Sequence, residues 1–367
     1  MAFSKSFLDG LRSNLSLADL IGSRAAWDTT KTQAHRGDFW ASCPFHEEKT
    51  ASFHVDSNKG FYYCFGCQAK GDCFTFLREY ENLSFTEAVH TIAQKLGVPV
   101  PAQTEETKEK EKRQETLFQV IKLATKFYKS NLHKPEAMKA KAYLQNRGVH
   151  EKTINQFELG YAPSDKNALS NFMAAQGITL DQLIEAGLSV VSEKTGKPFD
   201  RFRNRIIFPI HDRFGRQIAF GGRSMDPQAN AKYLNSPETP LFSKGKVLYN
   251  YFNAKSYSSV ESPLIVVEGY MDAIALCQAG FPRVVAPLGT AITSEQLFML
   301  WQASPEPVIA LDGDRAGKNA IQKLIKLSLQ HLEPEKSLRF SILPPGQDPD
   351  DLIKSKNHTL FEDLIKK

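Results

Sequence analysis

Three features of the sequence predict a multidomain protein of mixed α+β and α/β class. A C-x2-H pair and a C-x2-C pair stand near the N-terminus, an arginine- and aromatic-rich stretch occupies the middle, and short apolar runs alternate with amphipathic segments toward the C-terminus. The first predicts a small ribbon pinned by a metal, the second a mixed α+β subdomain with a basic face, and the third an open parallel sheet flanked by helices. A chain of 367 residues is long enough for two or three cores. With 41% hydrophobic and 11% aromatic residues it is neither disordered nor fibrous in composition. We expect four segments: the ribbon over 1–101, a charged linker over 102–116, the basic subdomain over 117–258 and the parallel α/β subdomain over 259–367.

Several function classes are excluded at once. No apolar run approaches the roughly 18 residues that cross a bilayer. The N-terminal stretch carries Lys5, Asp9, Arg12 and Asp19 instead of the apolar centre of a secretory signal. A cytoplasmic protein with no membrane contact is the expectation, and its five cysteines then read as metal ligands and buried thiols, not as a disulfide framework.

The ribbon begins at Cys43-Pro44-Phe45-His46, followed after seventeen residues by Cys64-Phe65-Gly66-Cys67. A two-residue gap lets one tight turn aim both ligands at one ion, and two such turns complete the tetrahedron that zinc prefers. Four protein ligands leave no open position, so one structural zinc is expected on Cys43, His46, Cys64 and Cys67. Cys73, His54 and His35 fit the spacing worse, and Cys73 and Cys277 are read as buried apolar side chains. Phe53, Val55, Phe61 and Tyr63 alternate like strands. With Lys49, Lys59 and Lys70 between them, the aromatics Phe61, Tyr63 and Phe65 suit either stacking on single-stranded bases or filling of the small core.

After Val98-Pro99-Val100-Pro101, which cannot continue a helix, the run 102–116 offers nothing to anchor to a core and is read as a linker running into the next helix. Leu117, Val120, Ile121, Ala124, Phe127 and Tyr128 have helical spacing. Phe199–Ile210 is expected to be one extended strand with Arg201, Arg203 and Arg205 on one face. Arg223, the segment Lys232–Thr239 and Lys244 add further cations separated by turn residues, with Tyr233 available to stack. Between Thr195 and Val260 eleven basic residues face four acidic ones, whereas Glu261–Arg315 holds seven acidic and two basic. A basic block beside an acidic one is the footprint of a groove for nucleic acid or nucleoside triphosphate.

In the last segment, strands are expected at Leu264–Val267, Val284–Ala286, Val308–Leu311 and Leu338–Leu343. Helices are expected at Asp272–Ala279, Ser294–Gln302, with a capping box from Thr293 to Gln296, and Ala316–Leu329. Acidic groups follow three of the strands: Glu268 and Asp272, then Asp312 and Asp314, then Asp348 and Asp350. Ligands bind beyond the carboxyl ends of parallel strands, and carboxylates crowded there are compensated by a hard divalent cation, Mg²⁺ or Mn²⁺, acting on phosphate. Gly313–Asn319 is not a phosphate loop, having three residues between its glycines and Asn in place of Ser or Thr. Gly221-Gly222 is no dinucleotide fingerprint, and Tyr270 is read as a packing aromatic.

Together, Cys43-Pro-Phe-His46 with Glu48-Lys49-Thr50, Cys64-Phe-Gly-Cys67 with Gly71-Asp72, Tyr143-Leu-x-x-Arg147-Gly148, Arg201–Ile210, Lys232–Thr239, Glu268-Gly-Tyr-x-Asp272, Asp312-Gly-Asp314 and Asp348-Pro-Asp350 resemble the bacterial replicative DNA primases of the DnaG type. The resemblance covers nearly the whole chain in order. It implies a zinc ribbon, then an RNA polymerase core made of a basic subdomain and a Toprim fold, making short RNA primers on single-stranded DNA from ribonucleoside triphosphates with Mg²⁺ or Mn²⁺. Carried over by motif, it makes Glu268, Asp312 and Asp314 the core carboxylates, with Asp272, Asp348 and Asp350 supporting two or more metal ions. Arg147, Arg201, Arg223, Lys232, Tyr233 and Lys244 would hold template and triphosphate, joined by Arg203 and Arg205 from the reading of the basic block. Ala51 stands where the family usually has Pro, and Gln68 and Lys70 where it has Gly, which touches turns and not ligands. The family normally continues with a helical part of the core and a helicase-binding domain. This sequence stops at Lys367, so it reads as a fragment or a short member, and no helicase contact is assigned to it. Two rival readings stay open: another Toprim phosphotransferase of nuclease or topoisomerase type, and a non-catalytic zinc-dependent single-stranded DNA binding protein.

Overall fold

The computed structural model describes all residues except 1–2, 49, 82, 102–104, 260, 290, 312–314, 344–348, 355–357 and 367. Of residues 105–108, 315–316, 342, 350, 354, 358–359 and 366 it describes the backbone alone. Two compact units emerge, one of Met1–Glu111, Ser256–Pro263 and Leu300–Pro305, the other of Lys112–Lys255, Leu264–Met299 and Glu306–Lys367.

The first unit opens with helices α1 (Lys5–Asn14) and α2 (Leu17–Gly22), capped by the Ser4 and Ser16 hydroxyls. An antiparallel ribbon follows, of β1 (Asp38–Ala41), β2 (Phe53–Asp56), β3 (Phe61–Cys64) and β4 (Lys70–Gly71), in that spatial order. Helices α3 (Cys73–Tyr80) and α4 (Phe85–Leu96) follow. Asp72 caps α3 and a Ser84/Glu87 capping box starts α4. The strand period puts Phe53, Val55, Tyr62 and Cys64 into the core with Phe74, Phe76 and Leu77, while Phe61 and Phe65 face outward. Of the two uses the sequence allows for Phe61 and Phe65, filling of the small core is therefore not theirs; Tyr62, one residue over, fills it.

Next comes α5 (Glu105–Leu132), a 28-residue helix that takes in most of the charged run 102–116 and from Lys112 belongs to the second unit. Its apolar stripe of Leu117, Val120, Ile121, Ala124 and Tyr128 is buried. Helices α6 (Met138–Asn146) and α7 (Glu151–Gln156) lead to β5 (Gly160–Ala162), and α8 (Ala168–Ala174) and α9 (Leu180–Glu185) to the small hairpin β6 (Ser189–Val191) and β7 (Pro198–Asp200). Strands β8 (Arg205–His211), β9 (Gln217–Ser224) and β10 (Tyr233–Asn235) finish an antiparallel sheet of order β10-β9-β8-β5. Ile206 to Ile210 is buried without interruption because both sheet faces are covered: Ile206, Phe208 and Ile210 enter one core and Ile207 the other. The single strand expected over Phe199–Ile210 is instead two. β7 ends at Asp200, Asn204 turns the chain with φ 48°, and of the three arginines only Arg205 lies in β8. They therefore do not share one strand face.

The remainder is β11 (Leu248–Tyr249), α10 (Tyr251–Lys255), β12 (Ile265–Val266), α11 (Tyr270–Gln278), β13 (Val284–Pro287), α12 (Ser294–Ala303), β14 (Val308–Leu311), α13 (Arg315–Gln330), β15 (Arg339–Ile342), α14 (Pro349–Lys354) and α15 (His358–Lys366). The sheet order is β11-β13-β12-β14-β15, parallel from β13 to β15, with β11 added antiparallel at one edge. The Thr293/Gln296 box at the start of α12 forms as its spacing predicts, with Gln296 N 3.2 Å from Thr293 Oγ1 and Thr293 N 3.1 Å from Gln296 Oε1. Among the described residues no helix is long and apolar enough to cross a membrane.

Candidate functional site

In the ribbon, the turn after β1 carries Cys43 and His46, and the end of β3 with the turn after it carries Cys64 and Cys67. Their four ligand atoms lie within 4.8 Å of one another. Cys43 Sγ stands 3.7 Å from Cys67 Sγ, and Cys64 Sγ 3.9 Å from His46 Nδ1. Sulfurs bound tetrahedrally to zinc at about 2.3 Å are about 3.8 Å apart, so the set fits that ion and is far too open for a disulfide. Crowded together, the groups compete for protons. Cys64 is driven down, first by its hydrogen bond with Cys43, Cys43 is driven up by the same contact, and His46 is pushed up to about 10, first by Cys64. A divalent cation takes the place of those protons.

Glu48 organises this site, a role that its place in the sequence does not disclose. Its Oε1 accepts from Cys43 N at 2.7 Å and Ser52 N at 3.1 Å, and its Oε2 accepts from Ser52 Oγ at 2.5 Å and lies 3.3 Å from His46 Nε2. A carboxylate behind a ligating imidazole fixes the ring and its tautomer. Gly66 sits against the same imidazole: a Cβ there would lie 2.6 Å from His46 Nε2. Cys73 is buried and Cys277, expected to be buried too, is only half-buried against the core; both lie apart from the cluster, and desolvation pushes both thiols up to about 12. His54 turns away, pairing with Asp38 at 2.8 Å. On the surface of the ribbon, Trp40 stacks on Phe65 with ring centres 5.6 Å apart and planes at 12°, Tyr63 meets the edge of Phe65, and Lys31 lies 5.4 Å from the Trp40 ring. Lys59 pairs with Asp56, Lys70 is exposed, and Lys49 is outside the described residues.

The basic residues of the second unit divide into two kinds. Arg201 donates through Nε and Nη2 to Asn235 O, Arg203 to Asp200 O, and Arg205 to the carbonyls of Gly222, Ala231 and Lys232. Arg201 and Arg205 clamp the backbone around β10, whereas Arg203 braces its own turn at the end of β7. Beyond that clamp, Lys232 is exposed and Tyr233 lies directly across the ladder from Arg223. Arg223 stacks on Tyr143 at 3.7 Å, and Arg147, one helical turn after Tyr143, donates to its hydroxyl at 3.1 Å. Burial, then Tyr143, pushes the Tyr233 phenol up to about 12.

β10 is bolted to the parallel sheet by Asn235, another residue the sequence does not single out. Its Oδ1 accepts from Tyr270 Oη at 2.7 Å and its Nδ2 donates to Leu288 O at 2.6 Å. Tyr270, packed flat on Phe208 as expected of a core aromatic, needs the absence of a side chain at Gly221, where a Cβ would meet its ring at 2.5 Å. Two residues before Tyr270, half-buried Glu268 opens into a cleft of about 380 Å³ with Gly289, Leu311, Asn319 and Lys323. Asp272 Oδ2 accepts from Gly269 N at 3.1 Å and so closes the first turn of α11. Lys244 reaches the same region, its Nζ 3.7 Å from the point a Gly289 Cβ would occupy. Its turn is held by Glu238 Oε1 on Lys244 N and by Gln296 Nε2 on Lys244 O. Asp312, Asp314 and Asp348, and the side chain of Asp350, lie outside the described residues. The strands leading to them, β14 and β15, are parallel neighbours of β12 in the order β12-β14-β15.

Three family descriptions match successive parts of the chain: CHC2 zinc finger at residues 3–108, DNA primase catalytic core, N-terminal domain, at 127–255, and Toprim-like at 265–353. The zinc-binding and RNA polymerase domains of Aquifex aeolicus primase match 99% of this chain and 85% of that one, with a TM-score of 0.64 and 33% identity. The chain belongs to the DnaG primase family. Another solved member, the DnaG primase catalytic domain bound to single-stranded DNA, has 37% identity and a TM-score of 0.63 over 70% of this chain and 82% of that one. Among full-length members, the DNA primase of Pseudomonas putida is 39% identical over 97% of this chain, and that of Escherichia coli K12 is 37% identical over 97%. The chain spans 54% and 60% of their lengths. Family membership accounts for the zinc ribbon preceding a mixed α+β unit with a parallel sheet.

Proposed function

We propose that this chain reads single-stranded DNA and polymerises ribonucleoside triphosphates into short RNA primers, in the cytoplasm at the replication fork. The observation that carries this reading is the tie through Asn235, which fixes the strand that begins at Tyr233, just after Lys232, to the helix that follows Glu268. A polyanion gripped by the cations is thereby held at a constant offset from the carboxylate. The segments 1–101, 117–258 and 259–367 serve as ribbon, basic subdomain and catalytic subdomain, with 102–116 between them.

In the reaction the 3′-hydroxyl of one nucleotide attacks the α-phosphorus of the next, the new phosphodiester forms and pyrophosphate leaves. Glu268, Asp312 and Asp314, supported by Asp272, Asp348 and Asp350, would hold two or more Mg²⁺ or Mn²⁺ ions; their oxygen donors suit hard cations. Held there, such ions would supply charge neutralisation on the phosphates and would acidify the attacking hydroxyl. Arg147, Arg223, Lys232 and Lys244 bind backbone and triphosphate oxygens, and Tyr233 offers a ring to a base. Arg201 and Arg205 act behind them by holding the strand in place, and Arg203 by bracing the turn between β7 and β8. Trp40, Tyr63 and Phe65 offer a second stacking face on the ribbon. The chemistry asked of the protein is positioning and electrostatic compensation.

Labelled ribonucleotides, a mixed-sequence single-stranded template and Mg²⁺ or Mn²⁺ test this directly. Template-dependent oligoribonucleotides are the expected product. Nicking or relaxation of supercoiled DNA without ribonucleotides would instead make the chain a Toprim nuclease or topoisomerase, and salt-sensitive DNA binding without incorporation would leave it a binding module.

A further inference from the structure

We infer that Tyr143 is a positioning residue that sets the direction of two cations, Arg223 and Arg147, toward bound nucleic acid; this rests on the nucleic-acid reading above. Tyr143 is half-buried on α6, in the unit that also holds β9 and β10. The Arg223 guanidinium carbon sits 3.7 Å from the centre of its ring, a close stacking distance, and Arg147 Nε donates to its hydroxyl at 3.1 Å. One side chain thus grips two like charges by different means, the π-face for one and the phenol oxygen for the other. Bringing two guanidiniums onto one ring costs repulsion, and a polyanion offsets that cost.

The surroundings of Arg223 point the same way. Its Nη1 donates to Ser224 O at 3.1 Å, whereas its Nε is buried with no hydrogen-bond partner among the described residues. The orientation of the group therefore comes from the ring and one carbonyl. Across the ladder stands Tyr233, the residue offered to a base. Tyr143 is thus set to place Arg223 beside the stacking residue, and to aim Arg147 from the adjacent helical turn. The Arg147 spacing of four residues is a helix neighbour relation and needs no tertiary structure, but Arg223 is eighty residues away in sequence and meets the ring only in the folded subdomain.

The test uses the whole chain and three versions of position 143. Affinity for a fluorescent single-stranded oligonucleotide is measured over a range of salt concentrations, since the slope of log K against log salt falls by about 0.7 for each phosphate of a single strand that the protein no longer neutralises. Tyr143→Met removes the π-face while keeping bulk and should lower the slope by about 0.7 to 1.4. Tyr143→Phe retains the face and loses only the Arg147 bond, so its slope should fall by at most about 0.7. A weakened affinity with an unchanged slope in Tyr143→Met would mean that Tyr143 only supports the fold and would overturn the inference, as would wild-type behaviour in both variants. A second readout works without nucleic acid: the Arg223 Nε proton should be shifted upfield by the ring in the NMR spectrum of the wild type and of Tyr143→Phe, and not of Tyr143→Met. If the wild type shows no salt-dependent binding, the nucleic-acid reading fails; an unshifted Arg223 proton refutes the stacking by itself.

Discussion

The ribbon and the rim of the parallel sheet, the two regions to which we assign metal ions, are built in opposite ways. In the ribbon, two turns bring three sulfurs and an imidazole within 4.8 Å and close the coordination sphere with protein atoms. At the rim, Glu268 stands half-buried beside an open cleft of about 380 Å³, with Asp272 after the same strand, and the remaining acidic positions follow β14 and β15 in sequence. A closed sphere converts metal binding into folding energy, whereas an open one leaves room for substrate phosphates. Metal removal should therefore damage the two regions differently.

The largest expected effect comes from chelating zinc. Structural zinc contributes on the order of 10–16 kcal/mol, comparable to the whole stability of a typical domain. Hydrogen exchange should show loss of protection in β1 to β4, with β8 and β9 unchanged; retained protection in the ribbon would erase the contrast. Next comes the joint between basic strand and sheet. Asn235→Ala removes bonds to Tyr270 and Leu288 and leaves buried groups unpaired, so the second unit should lose about 2–3 kcal/mol in urea unfolding.

Smaller again is the effect behind the zinc ligands. Glu48→Gln should weaken zinc binding about 10- to 100-fold, read by competition with a chromogenic chelator. Unchanged affinity would show that Glu48 serves only the turn. The smallest concerns pH. The Glu158 carboxylate is drawn down to about 2, first by His211, and also contacts Gln217 and Lys129. A depressed carboxylate stabilises the fold above its unfolded pKa and loses that contribution as pH falls through the folded value. The second unit should lose stability from about pH 4.5 toward 2, and Glu158→Gln should flatten that slope while the ribbon's acid sensitivity stays.

The same contrast explains what could be read from the sequence. The zinc ligands were legible because each pair spans one turn, and the α12 capping box because its two partners are three residues apart. The parallel strands β12, β13, β14 and β15 were legible because short apolar runs alternate with amphipathic helices. Three things were hidden for a physical reason. Arg201 and Arg203 fell outside the strand because Asn204 takes a positive φ that composition does not announce. Phe61 and Tyr62 differ in burial by one step of the pleat, which an aromatic run does not disclose. Glu48, Asn235 and Tyr143 act through partners fixed by folding, and although all three sat inside motifs that drew attention, their hydrogen bonds had no signature of their own.

The central claim is that Glu268 and the acidic residues after β14 serve nucleotide transfer beside a cationic strand. It is tested most directly by primer synthesis with Glu268→Gln and Asp312→Ala, alongside zinc content and template affinity. Synthesis should fall at least about 100-fold in both variants, beyond the loss of one positioned electrostatic group, with zinc bound and template affinity within about twofold of wild type. Synthesis at the wild-type rate in either variant would contradict the account.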